Sequence, residues 1–102
     1  MRKSAWDRRL DIVDLIVKWH DSCAKAGRLT EDDGMTMRHV AKWLHMSPST
    51  HLMERIRECV EMGFLIEQRP LWKSSRFRSR FFITEAGKAW LLAMTQFEEY
   101  FA

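Results

Sequence analysis

Residues 36–66 read TMRHVAKWLHMSPSTHLMERIRECVEMGFLI. Thr36 suits the N-cap of a helix, because its hydroxyl can accept a hydrogen bond from an N–H group of the first turn. Apolar side chains then follow at the spacing of one helix face, at Val40, Ala41 and Leu44. This pattern predicts a helix over residues 37–45.

A second helix is predicted almost immediately afterwards. Ser47 is another capping residue, and Pro48 favours the first helical position. The apolar face of this helix is given by Leu52, Ile56, Cys59 and Val60. Gly63 favours its end. Two helices joined by so short a turn predict a helix-turn-helix over residues 36–63.

The apolar period changes from helical to about two after Gly63. Residues 64–69 predict a strand, and residues 76–83 predict a second strand that returns beside it. Three arginines alternate with apolar side chains in the second strand: Arg76, Arg78 and Arg80 against Phe77, Phe81 and Ile83. The stretch 64–84 therefore predicts an antiparallel hairpin with its tip at residues 73–75.

A helix is predicted on either side of this central region. Residues 5–26 have the apolar spacing of a long N-terminal helix, and Thr84 is a capping residue for a C-terminal helix over residues 85–101. The 102 residues are enough for one domain with one core. The expected fold is mainly α with a small antiparallel β-hairpin.

The N-terminal helix carries two apolar stripes, and a helix of this kind usually has two surfaces to bury. One stripe comprises Trp6, Leu10, Val13, Val17, His20 and Ala24, and the other comprises Ile12, Ile16, Trp19 and Cys23. We expect one to face the core and the other a second subunit, although both can be buried within one monomer. The predicted homodimer interface consists of Ile12, Ile16, Trp19, Trp90, Phe97 and Phe101.

Positive charge is concentrated in the hairpin, where residues 64–84 contain five basic side chains and one acidic side chain. Such a patch suits a polyanion, with a merely solubilising surface as the alternative. No apolar run approaches the roughly 20 residues of a membrane span. The charged residues Asp11, Asp14 and Lys18 argue against a secretory signal. We therefore expect a cytoplasmic protein that makes no membrane contact.

The sequence contains no recognisable motif of a catalytic, metal-binding or phosphate-binding site. No His–Cys spacing fits a zinc site, and there is no glycine-rich phosphate loop or nucleophile motif. Cys23 and Cys59 lie in apolar patterns and are interpreted as buried thiols, with a disulfide as the alternative. We expect no catalytic residues, no metal and no cofactor, and the sequence does not indicate a small-molecule effector.

Four segments, taken in order, resemble winged-helix DNA-binding domains. They are MTMRHVAKWL (35–44), SPST (47–50), CVEMGFLI (59–66) and FITEAGK (82–88). The last is similar to the LTEAG stretch after the wing of MarR- and PadR-like transcription regulators. The wing tip KSSR (73–76) departs from the MarR-like pattern, and the chain is short for a full MarR subunit. The resemblance implies a winged helix-turn-helix with an extra N-terminal helix and a C-terminal helix.

The resemblance also implies that the third helix enters the major groove and that the wing lies along the DNA backbone. Arginine can read guanine and glutamate can accept from cytosine, so Arg57 and Glu54 are candidate base readers. An ion pair between these two side chains is the alternative. The predicted DNA-binding residues are Arg38, Ser49, Thr50, His51, Glu54, Arg57, Arg69, Lys73, Arg76, Arg78 and Arg80.

The expected function is sequence-specific binding of double-stranded DNA by a small dimeric transcription regulator. Glu54, Glu58 and Glu61 lie on the reading side of the third helix and should repel phosphate. A winged-helix module for protein–protein contact is therefore the main alternative. A replication or recombination accessory protein is a further alternative.

Overall fold

The computed structural model describes residues 5–27, 34–69 and 78–101. Four helices occur in this part of the chain: α1 (Ala5–Lys25), α2 (Met37–Trp43), α3 (Thr50–Glu61) and α4 (Glu85–Phe101). Three strands form one antiparallel sheet in the order β1-β3-β2: β1 (Met35–Thr36), β2 (Leu65–Gln68) and β3 (Arg80–Ile83). The order of these elements is that of a winged helix-turn-helix. The predicted mainly α fold class is confirmed.

The hydrophobic core lies where α1 packs against α3 and against β3 of the sheet. Ile12 and Ile16 of α1 are 0% and 1% exposed and belong to this core. The prediction that these two side chains face a partner subunit is therefore wrong. The stripe that begins at Ile12 turns inward, but Val13 of the other stripe is also 0% exposed and Val17 packs against the core, while Trp6 of that stripe is 44% exposed. Both stripes therefore contribute to the core of one chain, as the alternative to a subunit contact expects.

Helix α2 ends earlier than predicted, in a left-handed turn. His45 has a φ of 56°, a conformation that favours glycine. The N–H of Met46 donates to the Ala41 carbonyl at 2.9 Å, and the N–H of His45 donates to the Lys42 carbonyl at 3.2 Å. This pair of bonds is a Schellman motif, which satisfies the carbonyl groups at the end of the helix.

Helix α3 begins two residues later than predicted. The hydroxyl of Ser49 accepts a hydrogen bond from the N–H of Leu52 at 3.2 Å, so Ser49 is the N-cap and Thr50 is the first helical residue. The prediction of a cap at Ser47 with Pro48 in the first turn is wrong. After the left-handed turn at His45, four residues are used to redirect the chain before the new helix begins.

The sheet contains a strand that the sequence pattern did not indicate. The two residues of β1 pair with β3, with Met35 opposite Phe81 and Thr36 opposite Arg80. Nη1 of Arg80 donates to the carbonyl of Gly34 at 2.9 Å, which ties the chain just before β1 to β3. A Cβ atom at Gly34 would lie 2.6 Å from the ring of Phe82, so the close approach depends on glycine. The hairpin is thus part of a three-stranded sheet.

The second hairpin strand is shorter than predicted, because β3 begins at Arg80 and not at Arg76. Within β3 the predicted alternation is confirmed: Phe81 is 1% exposed and Ile83 packs against the core. Arg80 and Phe82 alternate with them and lie on the other face of the sheet. Residues 70–77, which include the predicted tip of the hairpin, lie outside the described residues.

Helix α4 begins at the predicted cap. The hydroxyl of Thr84 accepts from the N–H of Gly87 at 2.9 Å and donates to the carbonyl of Gly63 at 2.6 Å. The first bond satisfies an N–H group of the first helical turn, and the second fastens α4 to the end of α3. One side chain therefore caps α4 and links its start to the end of α3.

Replacing Thr84 by alanine is expected to lower the free energy of unfolding by about 1–2 kcal/mol, because both bonds are lost. Denaturant unfolding measures this change. Thr84→Ser keeps the hydroxyl and should cost much less. Thr95→Ala is the matched control, because the Thr95 hydroxyl only donates to the Leu91 carbonyl within α4. An unfolding midpoint for Thr84→Ala equal to that of Thr95→Ala would contradict the double role.

Candidate nucleic-acid interface

The exposed side of α3 is the centre of the candidate interface. Thr50, His51 and Arg57 are exposed, as predicted for residues that reach a groove. The hydroxyl of Ser49 caps the helix and is committed to the N–H of Leu52. Ser49 therefore positions the first turn of α3, and this is a structural role.

Glu58 faces inward, contrary to the prediction that it is an exposed acidic group on the reading side. Both Nε and Nη2 of Arg9 lie 2.7 Å from Glu58 Oε2. Nη1 of Arg55 lies 3.1 Å from Glu58 Oε1. Two guanidinium groups thus neutralise one half-buried carboxylate, so Glu58 does not oppose an approaching phosphate.

Glu54 lies between solvent and the cluster formed by Arg9, Glu58 and Arg55. Its Oε2 atom lies 3.5 Å from Nη2 of Arg55 and 4.0 Å from Nδ1 of His51. An ion pair between Glu54 and Arg57, which was the alternative to base reading, does not occur among the described residues. Glu54 is instead held from the side of Arg55, with part of its carboxylate exposed.

Arg57 differs from Arg55 in having no carboxylate partner among the described residues. Both arginines lie on α3, but Arg55 is half-buried between two glutamates and Arg57 is exposed. The sequence pattern identified Arg57 and missed Arg55. An i,i+3 spacing from Arg55 to Glu58 was the available signal for this ion pair.

Helix α2 presents a second positive surface beside the turn. The helix reads MRHVAKW and contains no acidic residue. Arg38 and Lys42 are exposed and four residues apart, so they share a face. Trp43 is 57% exposed at the end of the helix. Sequence reasoning named Arg38 but missed Lys42, which the i,i+4 spacing could have revealed.

The start of α2 is closed by a capping box. The hydroxyl of Thr36 accepts from the N–H of His39 at 3.3 Å, and Nδ1 of His39 accepts from the N–H of Thr36 at 3.4 Å. The predicted cap at Thr36 is confirmed, and His39 occupies the position at which glutamate or glutamine is usual. Arg38 is exposed in the same turn.

Two exposed arginines flank the wing, one where the chain leaves the sheet and one shortly before it returns. Arg69 follows β2 and Arg78 lies two residues before β3. Glu67 Oε2 lies 3.8 Å from Nε of Arg69, and Arg80 is half-buried with its guanidinium on Gly34. Lys73 and Arg76 lie outside the described residues, so their contacts stay predictions.

The remaining members of the predicted dimer interface divide into two groups. Trp90 lies between two rings of its own chain, with its ring centre 4.4 Å from that of Phe64 and 5.6 Å from that of Trp6. Trp19 is half-buried and packs against the core. Phe97 is 59% exposed, and the side chain of Phe101 lies outside the described residues.

Both cysteines are buried free thiols. Burial raises the pKa of the Cys59 thiol to about 12, with a smaller opposing effect from the positive charge of Arg9. Cys59 is therefore protonated and unreactive at neutral pH. In the described ranges no three His, Cys, Asp or Glu side chains group as a metal site, and no helix there has the length and apolarity of a membrane span.

Two solved structures resemble this chain, and both are of MepR from S. aureus. A crystal structure of MepR with DNA has a TM-score of 0.49 at 15% identity and covers 86% of this chain and 69% of its own. A mutant of MepR has a TM-score of 0.48 at 17% identity and covers 87% of this chain and 71% of its own. No family model and no curated protein matches the sequence.

Proposed function

We propose that this chain is a transcription regulator that binds double-stranded DNA, with α3 in the major groove and the wing on the backbone. The observation that carries the proposal is the state of Arg57. It is exposed at the outer side of α3, and two of the three acidic side chains of that helix, Glu54 and Glu58, contact other cations. A guanidinium in this position can form a bidentate contact with guanine.

Positive groups on either side of α3 supply the contacts to phosphate. Arg38 and Lys42 project from α2, and in helix-turn-helix proteins the first helix of the motif crosses the backbone. Arg78 stands at the base of the wing. These side chains fix the position of the protein on the duplex, and the sequence is read by α3. Affinity should fall with salt, because each neutralised phosphate releases counterion.

The first test is selection of bound sequences from a random duplex pool at physiological salt. Arg57→Ala should lower the preference for one base pair by about tenfold, with a smaller loss on random DNA. Lys25→Ala removes the same charge from the exposed end of α1 and is the matched control. Equal losses on selected and random duplexes would remove Arg57 from base reading. Failure of the wild-type protein to retain any duplex would favour the protein-interaction module.

The second part of the proposal is a homodimer formed through α4 and the start of α1. Two exposed apolar side chains support it, Trp6 at the start of α1 and Phe97 of α4. Trp6 packs against Trp90, and Phe97 follows Trp90 by seven residues, so both lie on one side of α4. A pair of identical recognition helices would read two half-sites, so the selected sequence is expected to be a palindrome.

Sedimentation of wild-type protein at tens of micromolar should detect this dimer. Phe97→Glu should give a monomer, because a charge would be buried in the contact. Ile66→Glu is the control, since Ile66 is 56% exposed but lies on β2, outside the two helices of the proposed contact. A wild-type monomer at this concentration, or dissociation by Ile66→Glu alone, would contradict the proposed interface.

A further inference from the structure

A chain of ion pairs leads from α1 to the reading side of α3. Arg9 contacts Glu58, Glu58 contacts Arg55, and Arg55 contacts Glu54. Arg9 and Glu58 are 49 residues apart in sequence, so this connection is made by the fold and not by one helix. The side chains of Arg9, Glu58 and Arg55 are between 22% and 29% exposed, which limits screening by solvent.

Arg9 determines how Arg55 is shared between the two glutamates. A guanidinium prefers to hold both oxygens of one carboxylate. On Glu58 the Oε2 atom is already occupied by Arg9 at 2.7 Å, and Nη1 of Arg55 contacts only Oε1, at 3.1 Å. Nη2 of Arg55 is consequently directed to Glu54, at 3.5 Å. Without Arg9, Arg55 would be able to take both oxygens of Glu58 and would leave Glu54 with only its 4.0 Å contact to His51.

We propose that Arg9 is a positioning residue for sequence recognition: by occupying one oxygen of Glu58, it makes Arg55 bridge to Glu54 and orient that carboxylate toward the major groove. The inference rests on the proposed DNA-binding function and deepens it. Glu54 then accepts a hydrogen bond from a base, and cytosine N4 is the matching donor in the major groove. A residue of α1 thereby controls a base contact of α3 without touching DNA.

The experiment compares base preferences of purified variants by selection from a random duplex pool. Glu54→Gln should lower the preference at one base pair by about tenfold. Arg9→Met should lower the preference at the same base pair by at least about threefold, and the double variant should lose no more than Glu54→Gln alone, because the two residues act in series. Arg9→Lys keeps a cation on Glu58 and should retain most of the preference.

Arg8→Met is the matched control, since it removes a neighbouring arginine whose carboxylate partner, Asp11, lies within α1. Thermal unfolding establishes that each variant is folded, and Arg9→Gln, which also removes the cation, replaces Arg9→Met if that variant does not fold. Full preference in Arg9→Met, an equal loss in Arg8→Met, or additive losses in the double variant would overturn the role of Arg9. Absence of any selected sequence for the wild-type protein would instead remove the proposed function together with this inference.

Discussion

Replacing Gly87 by alanine is expected to destabilise the fold by about 3 kcal/mol. Helix propensity alone argues for the opposite result, because alanine is about 1 kcal/mol better than glycine inside a helix. The tertiary contact decides the sign. A Cβ atom at Gly87 would collide with the carbonyl oxygen of Phe64 and would lie 2.8 Å from Cδ1 of Ile83. A backbone carbonyl cannot rotate away as a side chain can.

The collision lies at the base of the wing. The loss of stability should appear as a lower melting temperature in thermal unfolding. For a domain of this size, about 3 kcal/mol corresponds to a fall of more than roughly 10 °C in Tm. Gly27→Ala is the control, because Gly27 has a φ of 67° and no atom within 4 Å of the added Cβ. It should cost only about 1 kcal/mol, from the left-handed backbone. A Gly87→Ala protein at least as stable as wild type would contradict the packing of α4.

Local chemistry made part of this fold predictable. Thr36 and Thr84 were identified as caps from their residue type and from the apolar pattern that follows each, and both form the expected bonds. A cap depends on atoms within three or four residues, so its signal is contained in the sequence. The alternation over β3 was predictable for the same reason.

Features that depend on distant pairing were not predictable. The two residues of β1 have no measurable period and become a strand because β3 lies beside them. Residue spacing likewise put Glu58 on the outside of α3, whereas Arg9, 49 residues away, holds it in the cluster. Helix periodicity predicted that Arg57 is exposed. Whether Glu54 pairs with Arg57 depends instead on the contact between Glu54 and Arg55.

Replacing Phe81 by alanine is expected to cost about 3–5 kcal/mol, a large fraction of the roughly 5–15 kcal/mol that stabilises a small domain. Phe81 is 1% exposed at the centre of β3, opposite Met35 of β1 and Glu67 of β2. Its ring is the largest of the fully buried side chains among the described residues. Removing the ring would leave a cavity in the core, and the surrounding elements cannot move together far enough to fill it.

Phe82→Ala is the matched control, since it removes the same side chain from the neighbouring position. Phe82 is half-buried on the opposite face, where its ring lies over Gly34, and its loss should cost at most about 2 kcal/mol. Denaturant unfolding of both variants measures the difference. A shift of one residue in register would exchange the two faces of β3. A larger cost at Phe82 than at Phe81 would therefore contradict the register that places Arg78 and Arg80 at the base of the wing.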